Sequence, residues 1–143
     1  MPKLSVARAY LTREGLLGDR QANRKHHGGP ERALCLFSLE VIERLRAEGH
    51  PISPGSTGEN VTVAGLPWEG LRIGNRLALG DEVVVEISSY TIPCKNIRHS
   101  FTRERFKRIS PKNHLGETRL YARVLREGWL EEGQAVRLLD AGG

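Results

Sequence analysis

Cys94 is the residue whose type and setting point most directly to chemistry. It follows Pro93 at the end of an apolar strand pattern and precedes Lys95-Asn96-Ile97-Arg98-His99. A thiol beside cations is easier to deprotonate, and the thiolate is both nucleophile and soft metal ligand. Proline removes a backbone donor and stops a strand, so it can present the thiol at a rim. Local context alone also fits an inert, half-buried cysteine. Cys35 is the contrast. It sits inside Ala33-Leu34-Cys35-Leu36-Phe37, and free cysteine is among the most buried residue types, so core packing is expected there.

A second constellation is His26-His27-Gly28-Gly29-Pro30, preceded by Arg20, Arg24 and Lys25 and followed by Arg32. Gly28 and Gly29 permit backbone conformations that turn amide N–H groups toward an anion. A flexible turn in a solvated charge run explains the same residues. The pattern is neither G-x-G-x-x-G nor G-x-x-x-x-G-K, which disfavours a nucleotide fold. Third, Gly58-Glu59-Asn60 enters a strand and can aim one carboxylate and one amide at a pocket; a turn and a polar strand start do as well. The histidines and cysteines show no zinc spacing. No G-x-S-x-G occurs, so a serine hydrolase has no support.

These residues need a scaffold, and 143 residues fit one domain. With 38% hydrophobic and 27% charged residues the chain is an ordinary globular protein. No apolar run approaches the roughly 18 residues of a membrane span. The start lacks an apolar signal core, so a cytoplasmic location is expected, with both cysteines as free thiols. The formal charge is +5, and it is uneven. Residues 1–32 carry seven basic and three acidic side chains, and residues 95–112 carry seven basic against Glu104 alone. An acidic stretch separates the two blocks. They form one positive pocket if the fold joins them and two solvated faces if it does not. Arginine supplies 17 of the 22 basic side chains. Its planar fork suits oxyanions, although genomic base composition produces the same bias.

The elements read as mostly strand. Leu4, Val6 and Ala9 to Leu11 suggest one opening strand, and Ala33 to Phe37, Asn60 to Ala64, Leu77 to Leu79, Val83 to Ile87, Leu120 to Leu125 and Ala135 to Leu139 carry further strand patterns. Gly80-Asp81 turns a hairpin. Ser38 caps a helix through Glu48, with Leu39, Ile42 and Leu45 on its apolar face. Thr102 to Ile109 reads as a short basic helix with Phe106 and Ile109 inward. Gly128 and Gly133 lie in the last connection. Six or seven short strands with inserted helices argue for a mainly β, barrel-like fold over a parallel α/β sheet.

These pieces occur in a recognisable order. Gly18-Asp19-Arg20-Gln21, His27-Gly28-Gly29-Pro30 with Ala33-Leu34, Gly55 with Gly58-Glu59-Asn60, Pro93-Cys94, and Tyr121-Ala122-Arg123-Val124-Leu125 with Gly128 and Gly133 resemble the MOSC domain. That domain ends the molybdenum cofactor sulfurases and also occurs as stand-alone bacterial proteins. The resemblance covers roughly residues 4 to 139, so a single MOSC domain over 1–143 is expected. It implies a MOSC-type β-barrel, a molybdenum cofactor (molybdopterin) as ligand, and Cys94 as the catalytic, molybdenum-ligating or sulfur-carrying cysteine. Arg20, His27, Gly28, Gly29, Glu59, Asn60, Lys95 and Arg98 are the expected cofactor-binding residues. The His27–Pro30 loop, Arg20 and the Cys94 segment are expected to line one pocket.

Two departures stand out. Many stand-alone members carry Pro-Arg-x-Pro-Cys, whereas this chain reads Tyr90-Thr91-Ile92-Pro93-Cys94, with Thr91 at the arginine position. The family's Gly-Asp pairs are Gly74-Asn75 and Gly133-Gln134 here, a structural change only. Two functions follow from the resemblance. One is a molybdoenzyme that reduces N-hydroxylated small molecules by oxygen-atom transfer, served by a redox partner. The other is a sulfur carrier in which a Cys94 persulfide supplies a metal or cofactor centre. A chain of this length holds no pyridoxal-phosphate (PLP) desulfurase module, so a cysteine desulfurase would act in trans. A nucleic acid partner is disfavoured because only 6% of residues are aromatic, too few for a base-stacking platform. No membrane partner is expected.

Overall fold

The structure is a computed structural model that describes residues 2–6, 8–17, 30–112 and 114–139. Ten strands are present among them: β1 (Lys3–Ser5), β2 (Ala9–Thr12), β3 (Gly15–Leu16), β4 (Leu34–Ser38), β5 (Val61–Ala64), β6 (Arg76–Leu79), β7 (Val83–Tyr90), β8 (Leu120–Arg126), β9 (Gly128–Leu130) and β10 (Val136–Leu139). Seven form one sheet in the order β1-β5-β4-β8-β7-β6-β10. Only β4 and β5 run parallel. The two ends of this sheet meet. Lys3 bridges Ala135, the Leu4 N–H donates to the Gln134 carbonyl (3.0 Å), and the Val136 N–H donates to that of Pro2 (2.9 Å). The sheet thus curls into a nearly closed barrel and covers edges that would otherwise be open to pairing. A second sheet, β3-β2-β9, lies beside it.

Alternation in the sequence sets which side chains fill the barrel. On β8, Leu120, Ala122 and Val124 are buried while Tyr121, Arg123 and Leu125 are half-buried. They meet Leu34, Leu36, Val61, Val63, Leu77, Leu79, Val85 and Ile87 in one apolar cluster. Each buried aliphatic side chain contributes about 1.5–3 kcal/mol of transfer free energy. β4 is buried at every position, because its second face is also covered, in part by helix α1 (Leu39–Ala47). The Ser38 hydroxyl accepts the Val41 N–H and caps α1 as its sequence position predicts.

The turns explain one departure from the family pattern. Gly74 and Gly133 have φ of 97° and 86°, and the amide oxygens of Asn75 and Gln134 accept the backbone N–H three residues back, from Arg72 and Glu131 (both 2.8 Å). A side-chain oxygen acceptor is what each turn needs, and Asn or Gln provides one.

Four sequence expectations change. Leu39 is half-buried, and Val41, Ile42 and Leu45 form the apolar face of α1. No continuous helix runs over Thr102–Ile109. Arg103 and Glu104 adopt φ of 55° and 57° and break it into 3-10 turns. Ile109 is buried as expected, whereas Phe106 is partly buried. Gly128-Trp129-Leu130, read as connection, is strand β9, whose pairing with β2 supplies the order that three residues cannot supply alone. The strands exceed the six or seven expected because the single opening strand divides into β1 and β2, which join different sheets, and the small sheet is built from pieces of two to four residues.

Gly128 marks the tightest approach in this packing. A Cβ there would lie 2.5 Å from Glu82 Cβ and 3.2 Å from Val83 Cγ2. Gly128→Ala is therefore expected to destabilise the fold by about 1–3 kcal/mol, the usual cost of overpacking. The drop should be read as a lower urea midpoint at unchanged slope, and a wild-type midpoint would remove the packing argument.

Candidate functional site

The β7–β8 ladder does not stop at the end of β7. The Thr91 N–H donates to the Arg119 carbonyl (2.9 Å), and the Thr118 hydroxyl donates to the Thr91 carbonyl (3.1 Å). Thr91 is therefore fixed and buried. Ile92-Pro93-Cys94 then leaves the sheet. Ile92 is 75% exposed, and the Cys94 thiol is exposed. Cys94 itself is extended and opens a 3-10 turn over Lys95–Ser100, its carbonyl accepting the Ile97 N–H (3.1 Å). Ile97 and Ser100 bury the far side of that turn, and the Ser100 hydroxyl donates to Ser56 Oγ (2.8 Å). The backbone around Cys94 is thus anchored on both sides while its sulfur stays open. Lys95 and Arg98 are exposed on the same turn. The Arg98 guanidinium donates to the Lys95 carbonyl (2.8 Å) and lies 3.6 Å from Glu104.

Tyr121 is the common neighbour of the groups around this rim. Strand register sets it opposite Cys35 on β4 and Ser89 on β7. The Arg32 guanidinium sits 5.1 Å from its ring centroid, a cation–π distance. Burial pushes the Tyr121 phenol above its ordinary pKa. Cys35 and Cys94 push it the same way, and Arg119 and Arg32 oppose them. Arg32 ends the short turn Pro30–Arg32, which is clamped onto the sheet. Arg123 donates to Glu31 (2.9 Å) and to Glu86, Ser88 donates to the Glu31 carbonyl, and Arg76 holds the other Glu86 oxygen (3.0 Å). The hydrogen bonds from Arg123 and Arg76 hold the Glu86 carboxyl below the usual carboxylate range.

Cys35 behaves as the sequence suggests. It is 3% exposed, and burial pushes its thiol up to about 11 against the pull of Arg119 and the Thr91 hydroxyl, 3.9 Å from the sulfur. Asn60 clasps it through the backbone. Cys35 N–H donates to Asn60 Oδ1, and Asn60 N–H donates to the Cys35 carbonyl, both at 2.9 Å. The Glu59 carboxylate accepts from the Gly55 N–H (2.7 Å) and the Thr57 hydroxyl (2.6 Å). It organises the turn before β5. Glu59 and Asn60 also line a cleft of about 300 Å³ with Pro54, Gly55 and Glu132, and a second cleft of about 530 Å³ lies against Arg105, Phe106 and His114. Cys94 stands on the open rim and lines neither.

The structure brings Cys94, Lys95 and Arg98 together on one turn and places Glu59 and Asn60 around Cys35. Arg20, His27, Gly28 and Gly29 lie outside the described residues, so only the loop's end, Pro30–Arg32, is seen to reach the site. Sequence reasoning missed Tyr121, Arg119 and the positioning pair Glu86–Arg123 as site residues. A basic residue directly before the alternating strand Leu120–Leu125 was the one available signal for Arg119.

Two outcomes follow from this geometry. In native protein at about pH 8, iodoacetamide should label Cys94 and leave Cys35 unmodified, because Cys35 is buried and remains a thiol there. Peptide mapping that finds Cys35 labelled first would reverse the assignment. Acid stability should depend on Glu86. Its lowered pKa means its contribution is complete above the ordinary carboxylate value near 4.3 and is lost as pH falls from there through the folded value. Glu86→Gln should thus lose less stability than wild type between about pH 7 and pH 3, measured by urea midpoints.

With the geometry in place, three comparisons identify the lineage. The model of the MOSC domain matches residues 23–137. The protein YflK of Bacillus subtilis is 35% identical over 144 residues, covering 99% of this chain and 63% of that protein. A protein of Gibberella moniliformis named "Reductase" is 30% identical over 135 residues, covering 92% of this chain and 24% of that protein. The chain thus spans less than two thirds of the length of these curated relatives. The crystal structure of YiiM from Escherichia coli superposes with a TM-score of 0.72 at 21% identity, over 98% of this chain and 70% of the other, a likeness of fold. With most of its length matched by the family model and by a 35% identical relative, the chain belongs to the MOSC domain family.

Proposed function

We propose that this protein binds a molybdenum cofactor through Cys94 and reduces N-hydroxylated small molecules by oxygen-atom transfer. The MOSC family is linked to molybdenum-cofactor proteins. The observation that carries the reading is the Cys94 thiol itself, exposed at the end of a strand whose backbone is fixed on both sides. A single soft thiolate suits a metal that arrives with its other ligands already in place. The surroundings fit an anionic group. Lys95 and Arg98 flank the thiol on its turn, and Arg32 lies against Tyr121, which feels both Arg32 and Cys94. The name "Reductase" carried by one relative favours the redox reading.

When bound, the cofactor supplies the metal centre that accepts the substrate oxygen. The chain's residues do the rest. Cys94 would hold the metal at the rim, and the anchored turn Lys95–Ser100 fixes the backbone that carries the sulfur. Lys95, Arg98 and Arg32 balance negative charge. In the proposed reaction the N–O bond breaks, two electrons and two protons are consumed, and water and the reduced N–H base leave. The electrons come from a separate redox partner. One observation favours a second reading. Ile92 is 75% exposed two residues from Cys94, an apolar contact suited to a desulfurase whose persulfide would pass its outer sulfur to the Cys94 thiolate and leave as the free thiol.

Protein from a host that makes the cofactor should retain molybdenum and pterin in equal amounts. Cys94→Ser should lose most of the metal, a larger effect than the roughly tenfold to hundredfold cost of an outer-shell partner. It should also lose turnover of an N-hydroxylated amidine. If Cys94→Ser keeps its molybdenum and its activity, ligation by this residue is wrong. If wild type instead carries a cyanide-labile sulfur and no metal, the persulfide reading replaces the reductase.

A further inference from the structure

We propose that Arg119 is a binding residue for the anionic oxygen group of the ligand that meets Cys94. Nothing in the sequence motifs singles it out. The structure does so through its burial and its unmet bonding. Arg119 is 6% exposed. Among the described residues its only side-chain hydrogen bond runs from Nη1 to the Thr57 carbonyl, and its buried Nε–H has no partner. No carboxylate among the described residues lies within ion-pairing distance of it. Glu59 is the acidic group that shares its neighbourhood, since both act on Cys35, but the Glu59 oxygens are taken by Gly55 and Thr57.

A guanidinium carries a full charge and five N–H donors. Burying it for one carbonyl bond is a poor exchange, because a buried charge without a close counter-charge is strongly destabilising. A neutral amide could hold the Thr57 carbonyl equally well. An anion that enters the site and meets the fork makes the burial favourable, and bidentate oxyanion binding is the geometry arginine serves best.

Its place in the fold matches. Arg119 sits opposite Thr91 at the end of the β7–β8 ladder. Thr91 is three residues before Cys94, and three residues span at most about 11 Å. Arg119 directly precedes β8, two residues before Tyr121, whose phenol feels Arg119, Arg32 and Cys94 together. The inference deepens the cofactor reading, yet it can stand or fall apart from it, because it concerns oxyanion binding and not metal ligation.

The test uses the purified full chain and two probes, inorganic phosphate and molybdate, titrated calorimetrically into wild type, Arg119→Gln, Arg119→Lys and the exposed control Arg137→Gln. Arg119→Gln should bind at least one probe roughly tenfold to hundredfold more weakly, as expected for loss of a charge-assisted contact. Arg119→Lys should fall between, and Arg137→Gln should match wild type. Molybdate that also slows iodoacetamide at Cys94 in wild type, but not in Arg119→Gln, assigns the group to the metal's oxygen side. Phosphate binding that leaves Cys94 unshielded assigns it to a phosphate tail. A merely structural Arg119 predicts a lower unfolding midpoint with anion affinity unchanged, and that result overturns the proposal. So does a wild type that binds neither probe. If Arg119→Gln does not fold, the Arg119 Nε–H resonance of wild type decides: it should shift on titration, and a resonance that stays fixed overturns the proposal. If the anion results hold but protein from a cofactor-making host carries no molybdenum, the cofactor reading fails and the anion site remains.

Discussion

The hydrogen bond from the Thr91 N–H to the Arg119 carbonyl is the constraint on which the site depends. It carries the β7–β8 ladder one residue past the end of β7. That extra pair holds both strands in register where they would otherwise splay. On one side it delivers Ile92-Pro93-Cys94 to the surface from a fixed origin. On the other it keeps Arg119 in the sheet, buried, with Tyr121 two residues further along the same face. The Thr118 hydroxyl on the Thr91 carbonyl locks the same peptide from its other side. A cysteine on an unsupported loop would sample many positions. A cysteine three residues from a doubly bonded backbone samples few, and that order is what a metal-ligating or sulfur-carrying thiol requires.

Barrel closure supplies the next level of support. A flat seven-stranded sheet would leave β1 and β10 as open edges. Here the contacts of Lys3, Leu4 and Pro2 with residues 133–136 join them. Closure gives the sheet an inside, filled by aliphatic side chains, and an outside on which polar groups can gather. Cys35, Thr91, Arg119 and Tyr121 belong to the outside of the β4–β8–β7 region. Thr91 and Cys35 meet there through hydroxyl and thiol, whereas the buried Arg119 Nε–H is left without a partner. Asn60 contributes by clasping Cys35 through two backbone bonds, which ties the start of β5 to β4.

Much of this was legible in the sequence. Strand alternation on Leu120–Leu125, the apolar run around Cys35, the Ser38 cap and the Gly80-Asp81 hairpin all carry local signals strong enough to survive in the fold. The parts that were not legible depend on partners distant in sequence. β9 is three residues long and exists because β2 pairs with it. The basic stretch after Thr102 has helical spacing, but the positive φ at Arg103 and Glu104 ends any helix there, and no local pattern of side chains announces it. Arg119 looks like any surface arginine until the strand opposite it is known. The exposed position of Cys94 was the reverse case, since the strand-ending proline beside it is a local signal.

The uneven charge of the sequence resolves into different tasks. The first basic block contributes Arg32 to the site, while Arg8 stacks on Trp129 (4.1 Å) and Arg13 pairs with Glu127 beside the small sheet. In the second block, Arg108 forks onto Glu48 and also binds Glu117, tying the 3-10 region to α1. These pairs hold Arg13 and Arg108 within the protein and leave those two side chains little capacity for a ligand. Arg20, Arg24 and Lys25, which fall between Arg13 and Arg32, lie outside the described residues. Among the described residues, Arg32 at the end of the first block lies over the Tyr121 ring, and Cys94 just before the second adds to the field at the same phenol. A ligand recognised there would be read by a few placed guanidinium and ammonium groups, not by net charge. Placement of that kind gives specificity for the shape of an anion, whereas a diffuse basic face would give only salt-sensitive attraction.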